Sequence, residues 1–386
     1  MARKFVLNPI AYHGPGAINN MVPEIKARKY KKAFICTDHD LVKLKVVDPV
    51  ERLLNEAHIP YTVFDDVKAN PSVENVKHGV NSFWESGADF IIAIGGGSPM
   101  DTAKAIGIIH NNPEFADVVS LEGVTPSTHA CVPIIAIPTT AGTASEITIN
   151  YVITDTERER KFVCVDANDI PIIAIVDPDM MSSMPKGLTA ATGMDALTHA
   201  IESYVTKGAW ELSDALSIKA IEIISRSLRQ AVANEKKGRE EMALGQYVAG
   251  MSFSNVGLGL VHAMAHPLGA LYDTPHGVAN AIILPVVMDY NAEFTGEKYR
   301  EIARAMGVEG VDGMSQKEYR KAAVDAVRKL SHDVDIPHDL SGIAKLDDVE
   351  FLTQSAQADV CLGGNPREPT LDDIRMLYAN LISGNF

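Results

Sequence analysis

The sequence predicts two unlike domains, an α/β N-terminal domain with a parallel sheet over residues 1–184 and an all-helical C-terminal domain over residues 185–386. In residues 31–176, short β-branched runs alternate with segments of helical periodicity, which is typical of a parallel sheet covered by helices on both faces. After residues 177–187, DPDMMSSMPKG, the strand pattern stops and helical periodicity takes over. A chain of 386 residues is long enough for two such domains.

Five apolar runs are predicted to form the strands of the N-terminal sheet. In chain order they are KAFICT, YTVF, FIIAI, PIIAI and IIAIV. FIIAI and PIIAI are apolar almost throughout, so we expect them to be central strands that are buried on both faces. INYVIT and KFVCV flank the polar stretch DTERER, which predicts a β-hairpin appended to this sheet near the end of the domain.

Residues 211–232, ELSDALSIKAIEIISRSLRQAV, illustrate the helical periodicity of the C-terminal domain. Their apolar side chains recur at spacings of three to five, which predicts one buried stripe along a helix. The stripe consists of Leu212, Leu216, Ile221, Ile224, Leu228 and Val232.

The charge balance argues against nucleic-acid and membrane partners. With 35 Lys and Arg against 50 Asp and Glu, the formal net charge is −15, which repels phosphate backbones and anionic lipid surfaces. The longest apolar runs are about strand length, far short of the roughly 20 residues that cross a bilayer. Asn8 and Pro9 interrupt the N-terminal stretch before a signal-peptide core, and the four cysteines form no CxxC pair. We therefore expect a cytoplasmic protein that binds neither nucleic acid nor a membrane.

A glycine-rich turn follows the strand FIIAI. Gly95, Gly96, Gly97, Ser98 and Pro99 lead directly into MDTAKAIGII, which has helical spacing. Glycines allow backbone N–H groups to approach a pyrophosphate, and a helix N-terminus adds partial positive charge. The alternative is a tight turn without a ligand, because the motif lacks the GxGxxG spacing of a dinucleotide fingerprint.

A second polar loop favours the nucleotide interpretation. The strand PIIAI ends in residues 138–145, PTTAGTAS, whose hydroxyls and amides can bind neutral polar groups of a nucleotide. Both loops would lie at the carboxyl ends of parallel strands, where open α/β sheets bind their ligands. The sequence therefore predicts that the N-terminal domain binds a nucleotide.

Asp38 directly follows the run KAFICT and ends the first clear strand. A carboxylate there can accept hydrogen bonds from ribose hydroxyls and would repel a 2′-phosphate, which favours NAD over NADP. The alternative is a solvated loop acid or the N-cap of a helix that begins near Leu41. Position alone favours this alternative.

One acid and four histidines of the C-terminal domain suggest a metal site. Asp195 and His199 are four residues apart on one helix face, although such a pair can also be a plain surface ion pair. His262, His266 and His276 follow within fifteen residues among mostly apolar and small neighbours. Neutral buried histidines are the alternative, yet Asp with several His is the ligand set of Fe(II) or Zn(II). The C-terminal domain is therefore predicted to bind a metal.

The surroundings of these histidines indicate the kind of substrate. No Lys or Arg occurs in the 58 residues from 240 to 297, which contain His262, His266 and His276. A phosphate or carboxylate group usually meets a basic clamp. The pattern therefore favours a small, neutral, polar substrate.

GGGSPMD, PTTAGTASE, GMDALTHAIES and GLVHAMAHPLGALYDTPHG occur in this order, and with them the chain resembles the iron-containing (group III) alcohol dehydrogenases over essentially its whole length. The resemblance implies that Asp195, His199, His262 and His276 ligate Fe(II), with His266 as a catalytic residue near the metal and the nicotinamide. It also implies contacts to NAD and to the substrate. The NAD residues are Asp38, Asn70, Gly96, Gly97, Ser98, Thr139, Thr140, Thr143 and Lys161, and the substrate residues are Asn150, Phe253 and Cys361.

The sequence around these motifs is most similar to that of the family branch that interconverts lactaldehyde and 1,2-propanediol. The resemblance thus implies an NAD-dependent enzyme that transfers hydride from a metal-bound alkoxide of a short neutral alcohol, with Zn(II) as the alternative metal. It further implies a homodimer, for which FVLNPIAYHG is the candidate N-terminal strand.

Three other functions remain open at this point. One is another short-chain alcohol dehydrogenase of the same family. Another is an NAD- and metal-dependent lyase or cyclase of the dehydroquinate-synthase type, whose anionic substrate would need basic residues that 240–297 do not supply. The third is a metal-binding protein without activity, which would leave both nucleotide loops unexplained.

Overall fold

The computed structural model describes residues 2–158 and 160–385. The chain falls into two compact units, a first that ends at Met184 and a second that begins at Pro185. The first unit is α/β with a parallel sheet, and the second is helical, which confirms the predicted fold class.

The first unit contains nine strands and five α-helices among its described residues. The strands are β1 (Ile10–His13), β2 (Ala33–Asp38), β3 (Tyr61–Val67), β4 (Phe90–Gly95), β5 (Gly123–Val124), β6 (Ile134–Pro138), β7 (Asn150–Asp155), β8 (Arg160–Val165) and β9 (Ile173–Val176). The helices are α1 (Met21–Arg28), α2 (His39–Lys43), α3 (Asp48–Glu56), α4 (Val73–Ser86) and α5 (Gly97–Asn111). Short 3-10 helices occur at Ala17–Asn20, Pro113–Phe115, Val118–Leu121, Ala167–Asp169 and Pro178–Met181.

Six of these strands form one parallel sheet in the order β1-β9-β6-β4-β2-β3. Its centre is β4 and β6, and every residue of both is buried. Alternate side chains enter separate cores, because Ile92 packs on the face covered by α1 and α3 whereas Ile91 packs on the face covered by α4 and α5. Burial on both faces explains why these two runs are continuously apolar, and it confirms the prediction that they are central strands.

The predicted hairpin exists, but it is not part of the main sheet. β7 and β8 pair antiparallel, and with β5 they form a separate sheet in the order β5-β8-β7. Their inward side chains, such as Tyr151 and Phe162, pack with Ile108 and Ala105 of α5. The hairpin was therefore wrongly predicted to extend the main sheet, because helix α5 has a second apolar side that the hairpin covers.

β1 is a strand that the sequence pattern did not predict. Its residues pair in parallel with β9 at one edge of the main sheet, with Ile10 opposite Ile173. None of its four residues is fully buried, so no apolar run marks it. The strand lies within FVLNPIAYHG, so part of this candidate dimer segment pairs inside its own chain.

The second unit is built from nine α-helices, with no strand in its described residues 185–385. The helices are α6 (Lys186–Val205), α7 (Glu211–Val232), α8 (Lys236–Val256), α9 (Leu260–Tyr272), α10 (His276–Asn291), α11 (Lys298–Ala305), α12 (Gln316–Asp333), α13 (Val349–Ala358) and α14 (Leu371–Ser383). Short 3-10 helices occur at Ala292–Phe294, Val311–Gly313, Leu346–Asp348 and Val360–Gly364.

The stripe predicted for α7 is correct in the middle of the helix and wrong at its start, and its members Leu216 and Val232 are only half-buried. Ile221, Ile224 and Leu228 are buried, whereas Leu212 is 43% exposed. At this end the buried face carries small residues instead: the Ser217 hydroxyl lies 2.9 Å from that of Ser203 on α6 and 2.7 Å from that of Ser252 on α8. The three helices are too close there to accommodate a leucine.

Within the part of the chain that the structure describes, no single helix has both the length and the apolar composition to cross a membrane. Helices α8 and α9 meet this criterion only when taken together, and they are bent by 101° relative to each other.

Candidate functional site

The four predicted metal ligands come together in the helical unit. Asp195 and His199 lie on α6, His262 lies on α9, and His276 is the first residue of α10. One ligand atom from each residue can be chosen so that all four atoms lie within 4.8 Å of one another. Asp195 and His199 are 2% and 5% exposed, which excludes the surface ion pair that their spacing alone left open.

Glu202 supports this cluster and was not identified from the sequence. One carboxylate oxygen accepts the backbone N–H of Val261 at 2.7 Å, and the other lies 2.5 Å from Nδ1 of His262. This contact leaves Nε2 of His262 directed at the cluster, as carboxylate partners of metal-binding histidines do. Glu202 follows Asp195 and His199 at helical positions i+7 and i+3, so its spacing in GMDALTHAIES was a usable signal.

Burial shifts the pKa values of both Glu202 and His262. It raises the pKa of Glu202 to about 8, although hydrogen bonds from the backbone around Val261 and His262 oppose the change. Burial, together with the neighbouring imidazoles of His199 and His276, lowers the pKa of His262 well below its usual value. His262 is therefore held as the neutral ring, which is the form that binds a metal.

Asn280 is a second residue that sequence analysis missed, one turn after His276 on α10. Its side-chain nitrogen lies 2.7 Å from Asp195 Oδ1, 3.1 Å from His262 Nε2 and 3.0 Å from His276 Nε2. An amide nitrogen carries only two hydrogens, so it can donate to at most two of these three acceptors. At least one of these three acceptors therefore receives no hydrogen from Asn280. A carboxylate with imidazole nitrogens is also a ligand set that fits a divalent cation.

His266 lies one helical turn beyond His262 and has a carboxylate partner of its own. Its Nδ1 is 2.7 Å from Asp359 Oδ2, and its ring stacks on that of His276 with 5.4 Å between centroids. The other oxygen of Asp359 accepts the backbone N–H of Cys361 at 2.8 Å. Burial raises the pKa of Asp359, but His266 and the hydrogen bonds from Cys361 together lower it more, so the pKa is lowered on balance.

The three residues predicted to contact substrate occupy different places. Phe253, on α8, stacks on His199 with 4.1 Å between ring centroids, so it forms a wall of the histidine cluster. Cys361 lies beside Asp359, as described above. Asn150 belongs to the other unit, where it is the first residue of β7.

In the α/β unit, the two polar loops lie side by side. β4 and β6 are neighbours with Gly95 opposite Pro138, and the N–H of Thr139 donates to the Gly95 carbonyl at 2.9 Å. A Cβ on Gly96 would lie 3.2 Å from the side chain of Thr140, and one on Gly97 would lie 3.3 Å from that of Thr143. Glycine therefore keeps open the space between this turn and the threonine loop.

The glycine turn leads into α5, which begins at Gly97 and has Ser98 as its second residue. Gly95 has φ +150°, and a Cβ there would collide with the ring of Pro99 at 2.4 Å. The free backbone N–H groups of a helix N-terminus and the absence of side chains at Gly96 and Gly97 suit a pyrophosphate.

The remaining predicted cofactor residues are Asp38 on β2, Asn70 after β3 and Lys161 on β8 of the separate sheet. Asp38 ends β2, and its carboxylate accepts the N–H of Leu41 at 2.9 Å, so it caps α2 as the alternative interpretation had it. Burial is the main cause of its raised pKa. Asn70 follows β3 in a left-handed conformation with φ +54°. Its side-chain oxygen Oδ1 accepts a hydrogen bond from the Lys161 ammonium at 2.7 Å.

Comparisons with known proteins bear on both units. Residues 8–178 match the family model described as iron-containing alcohol dehydrogenase, and residues 189–382 match that of the Fe-containing alcohol dehydrogenase family, C-terminal. The chain is 61% identical over 379 residues to lactaldehyde reductase of Escherichia coli strain K12, covering 98% of this chain and 99% of that protein. It is 38% identical over 384 residues to the NAD-dependent methanol dehydrogenase of Bacillus methanolicus, covering 98% and 99%. The crystal structure of a 1,3-propanediol oxidoreductase superposes with a TM-score of 0.95 at 40% identity, covering 99% of this chain and 100% of that one.

Proposed function

The chain belongs to the iron-containing alcohol dehydrogenase family and is an oxidoreductase of alcohols and aldehydes, and we propose that it interconverts lactaldehyde and 1,2-propanediol with NAD as the hydride carrier. The observation that carries this proposal is the convergence of Asp195, His199, His262 and His276 on one buried point. The identity of 61% to a lactaldehyde reductase supports the choice of substrate.

The residues around the cluster favour a neutral substrate. The aromatic ring of Phe253 on α8 packs on His199, and residues 240–297, which carry the histidines of α9 and α10, contain no Lys or Arg. A carboxylated or phosphorylated aldehyde would lose its hydration there without gaining a cationic partner. Small hydroxylated aldehydes do not carry this penalty. Asn150, Phe253 and Cys361 are the residues that we assign to substrate contact.

The metal that we propose is Fe(II), held by Asp195, His199, His262 and His276. A carboxylate with three neutral imidazoles suits either Fe(II) or Zn(II), and the family favours iron. When bound, the ion supplies a Lewis acid for the oxygen of the alcohol or aldehyde. The chain contributes orientation, because Glu202 fixes the ring of His262 and Asn280 binds the same atoms as the ion would.

We assign NAD to the α/β unit, residues 1–184, and the metal to the helical unit, residues 185–386. Gly96, Gly97 and Ser98 offer backbone N–H groups to the pyrophosphate at the start of α5. Thr139, Thr140 and Thr143 supply hydroxyls from the adjacent loop, and Asn70 with Lys161 adds a polar pair. The carboxylate of Asp38 favours ribose hydroxyls over a 2′-phosphate, because like charges would meet there.

His266 is the residue that we propose to move the proton. Asp359 fixes Nδ1 of its ring, so Nε2 is the nitrogen that can take a proton from the substrate hydroxyl and return it to an aldehyde oxygen. The stacking of His266 on His276 keeps this nitrogen next to the metal ligands.

We further propose that the protein is a cytoplasmic homodimer without nucleic-acid or membrane partners. The acidic net charge of −15 supports the absence of nucleic acid. The segment FVLNPIAYHG remains our candidate for the dimer contact, through the residues that precede β1.

The function is tested by mixing the protein, NADH and lactaldehyde and following NADH absorbance together with 1,2-propanediol formation. We expect one propanediol for each NADH consumed. A kcat/KM of similar size for a carboxylated or phosphorylated aldehyde would contradict the substrate assignment. Conversion of lactaldehyde to a product other than propanediol, without net consumption of NADH, would instead favour the lyase or cyclase.

A further inference from the structure

A second group of metal-binding side chains stands next to the histidine cluster. His266, Asp359 and Cys361 each offer one ligand atom, and these three atoms all lie within 4.8 Å of one another. None of the three belongs to the set formed by Asp195, His199, His262 and His276. The group differs from that set in chemistry, because it contains a thiol.

We propose that His266, Asp359 and Cys361 form a second, inhibitory site for a thiol-binding divalent cation such as Zn²⁺ or Cd²⁺. Zn²⁺ takes thiolate, imidazole and carboxylate ligands, and a site with three protein ligands leaves a fourth position open to water. Mg²⁺ and Fe²⁺ prefer sets without a thiolate, so the second site selects against the metal proposed for the first.

The geometry is close to what coordination needs. Ligand bonds of about 2.0–2.3 Å around one ion place the ligand atoms roughly 3–4 Å apart, so separations near the 4.8 Å limit must contract by about 1–2 Å. Asp359 and Cys361 are joined by a hydrogen bond from the Cys361 N–H and lie at the start of the short 3-10 helix Val360–Gly364. Both therefore move together when this turn shifts.

Binding has a simple proton balance. From its neutral form, the His266 ring would bind through Nδ1 and carry its proton on Nε2, while Cys361 would bind as the thiolate. One proton, from the thiol, is released to solvent. A 2+ ion with one carboxylate and one thiolate has no net charge, which limits repulsion by an ion at the first site. We expect the first site to fill first, because the second ion must also displace the bond between His266 and Asp359.

The inhibitory consequence rests on the proposed function, whereas the binding itself does not. The ion would occupy Nδ1 of His266, put a proton on Nε2, and remove the thiol that we assign to substrate contact. His266 could then no longer accept a proton, and the aldehyde would lose part of its pocket.

Co²⁺ tests the site directly, because thiolate ligands give Co²⁺ a charge-transfer band that imidazoles and carboxylates do not. Metal-free protein is titrated anaerobically with Co²⁺ while its absorption spectrum is followed. The first equivalent should give only ligand-field bands, and the second should give the thiolate band. In Cys361→Ser the thiolate band should vanish, while the first equivalent still binds. Cys131→Ser is the matched control and should keep the band, since Cys131 is absent from both ligand groups.

Asp359→Asn is a second variant that tests the same site if Cys361→Ser fails to fold. It should weaken binding of the second equivalent at least tenfold and leave the ligand-field bands of the first in place. Absence of a thiolate band in the unmodified protein at two equivalents, or its persistence in Cys361→Ser, overturns the proposal. The spectra do not depend on aldehyde reduction, so an inactive protein that shows the band would refute the proposed function and keep the second site.

Discussion

The backbone of Gly277 lies against the carbonyl group of Ala191. A Cβ on Gly277 would be 2.4 Å from the Ala191 oxygen and 3.3 Å from Cβ of Asp195. Gly277 follows the proposed ligand His276, and Ala191 lies one helical turn before Asp195, so α10 begins in direct contact with α6. This contact brings His276 Nε2 to 3.7 Å from Asp195 Oδ1. Two ligands from different helices therefore meet because a side chain is missing between them.

Gly277→Ala should separate these helices and weaken the metal site. The new methyl group cannot be relieved by a rotamer change, because it meets backbone atoms of Ala191. We expect iron affinity to fall at least tenfold, measured by competition with a chelator under anaerobic conditions. Gly187→Ala is the control on α6, since a Cβ there meets nothing within 4 Å, and it should bind iron normally. Normal iron affinity in Gly277→Ala would show that the close contact does not matter for the site.

Glu202→Gln should weaken the metal site without disturbing the surface of the unit. A glutamine has one acceptor oxygen, so it cannot serve both the Val261 N–H and the His262 ring as the carboxylate does. Partners of this kind are typically worth about 10- to 100-fold in metal affinity, and we expect a loss of that size. Glu222→Gln, an exposed change that breaks contacts to Lys219 and Arg226, should have no effect. Equal metal affinity in both variants would show that Glu202 does not support the metal site.

Asp38→Gly should allow NADP to bind and should weaken the binding of NAD. Both affinities are measured by adding NADPH or NADH to the protein and following its fluorescence. The structure shows that Asp38 also caps α2, so a glycine changes two things at once. Asp38→Asn separates them, because asparagine is an equally good cap and carries no charge. If the carboxylate faces the ribose, the asparagine variant should also gain NADP affinity. An unchanged ratio in both variants would leave Asp38 as a helix cap only.

His262→Ala should separate activity from cofactor binding. Loss of this ligand removes the Lewis acid, which is worth several kcal/mol, so turnover should fall by roughly 10³-fold or more. NADH should still bind with nearly unchanged affinity, since its proposed residues lie in the unit that ends at Met184. Parallel loss of NADH affinity and turnover would contradict this division of roles.

The sequence predicted the features that depend on local patterns. The glycine turn after β4 and the pair Asp195 and His199 could be singled out as candidates because each lies within a few adjacent residues of the sequence. β1 was not, because Ile10–His13 is a half-buried edge strand whose partner β9 is distant in sequence. Burial alternates along β7, which reveals one buried face but not that α5 is what covers it.

The support of the metal cluster was harder to predict for a different reason. Glu202 and Asn280 are isolated polar residues whose roles depend on His262, which lies on another helix. For Asp38 the position was predicted from the sequence, and the role was what remained open. Its position in the sequence favours a helix cap, and the capping bond to Leu41 does not exclude a ribose partner as a second role.

The central claim is that iron at the histidine cluster drives aldehyde reduction, and anaerobic metal replacement tests it most directly. Binding strength at nitrogen and oxygen sites rises from Fe(II) toward Zn(II), so iron should be readily removed or exchanged. Chelated protein is assayed with NADH and lactaldehyde, alone and after separate addition of Fe(II) or Zn(II). We predict no turnover in the metal-free protein, retained NADH binding, and recovery with Fe(II). Full turnover without metal would contradict the role of the cluster, and recovery with Zn(II) alone would contradict the choice of iron.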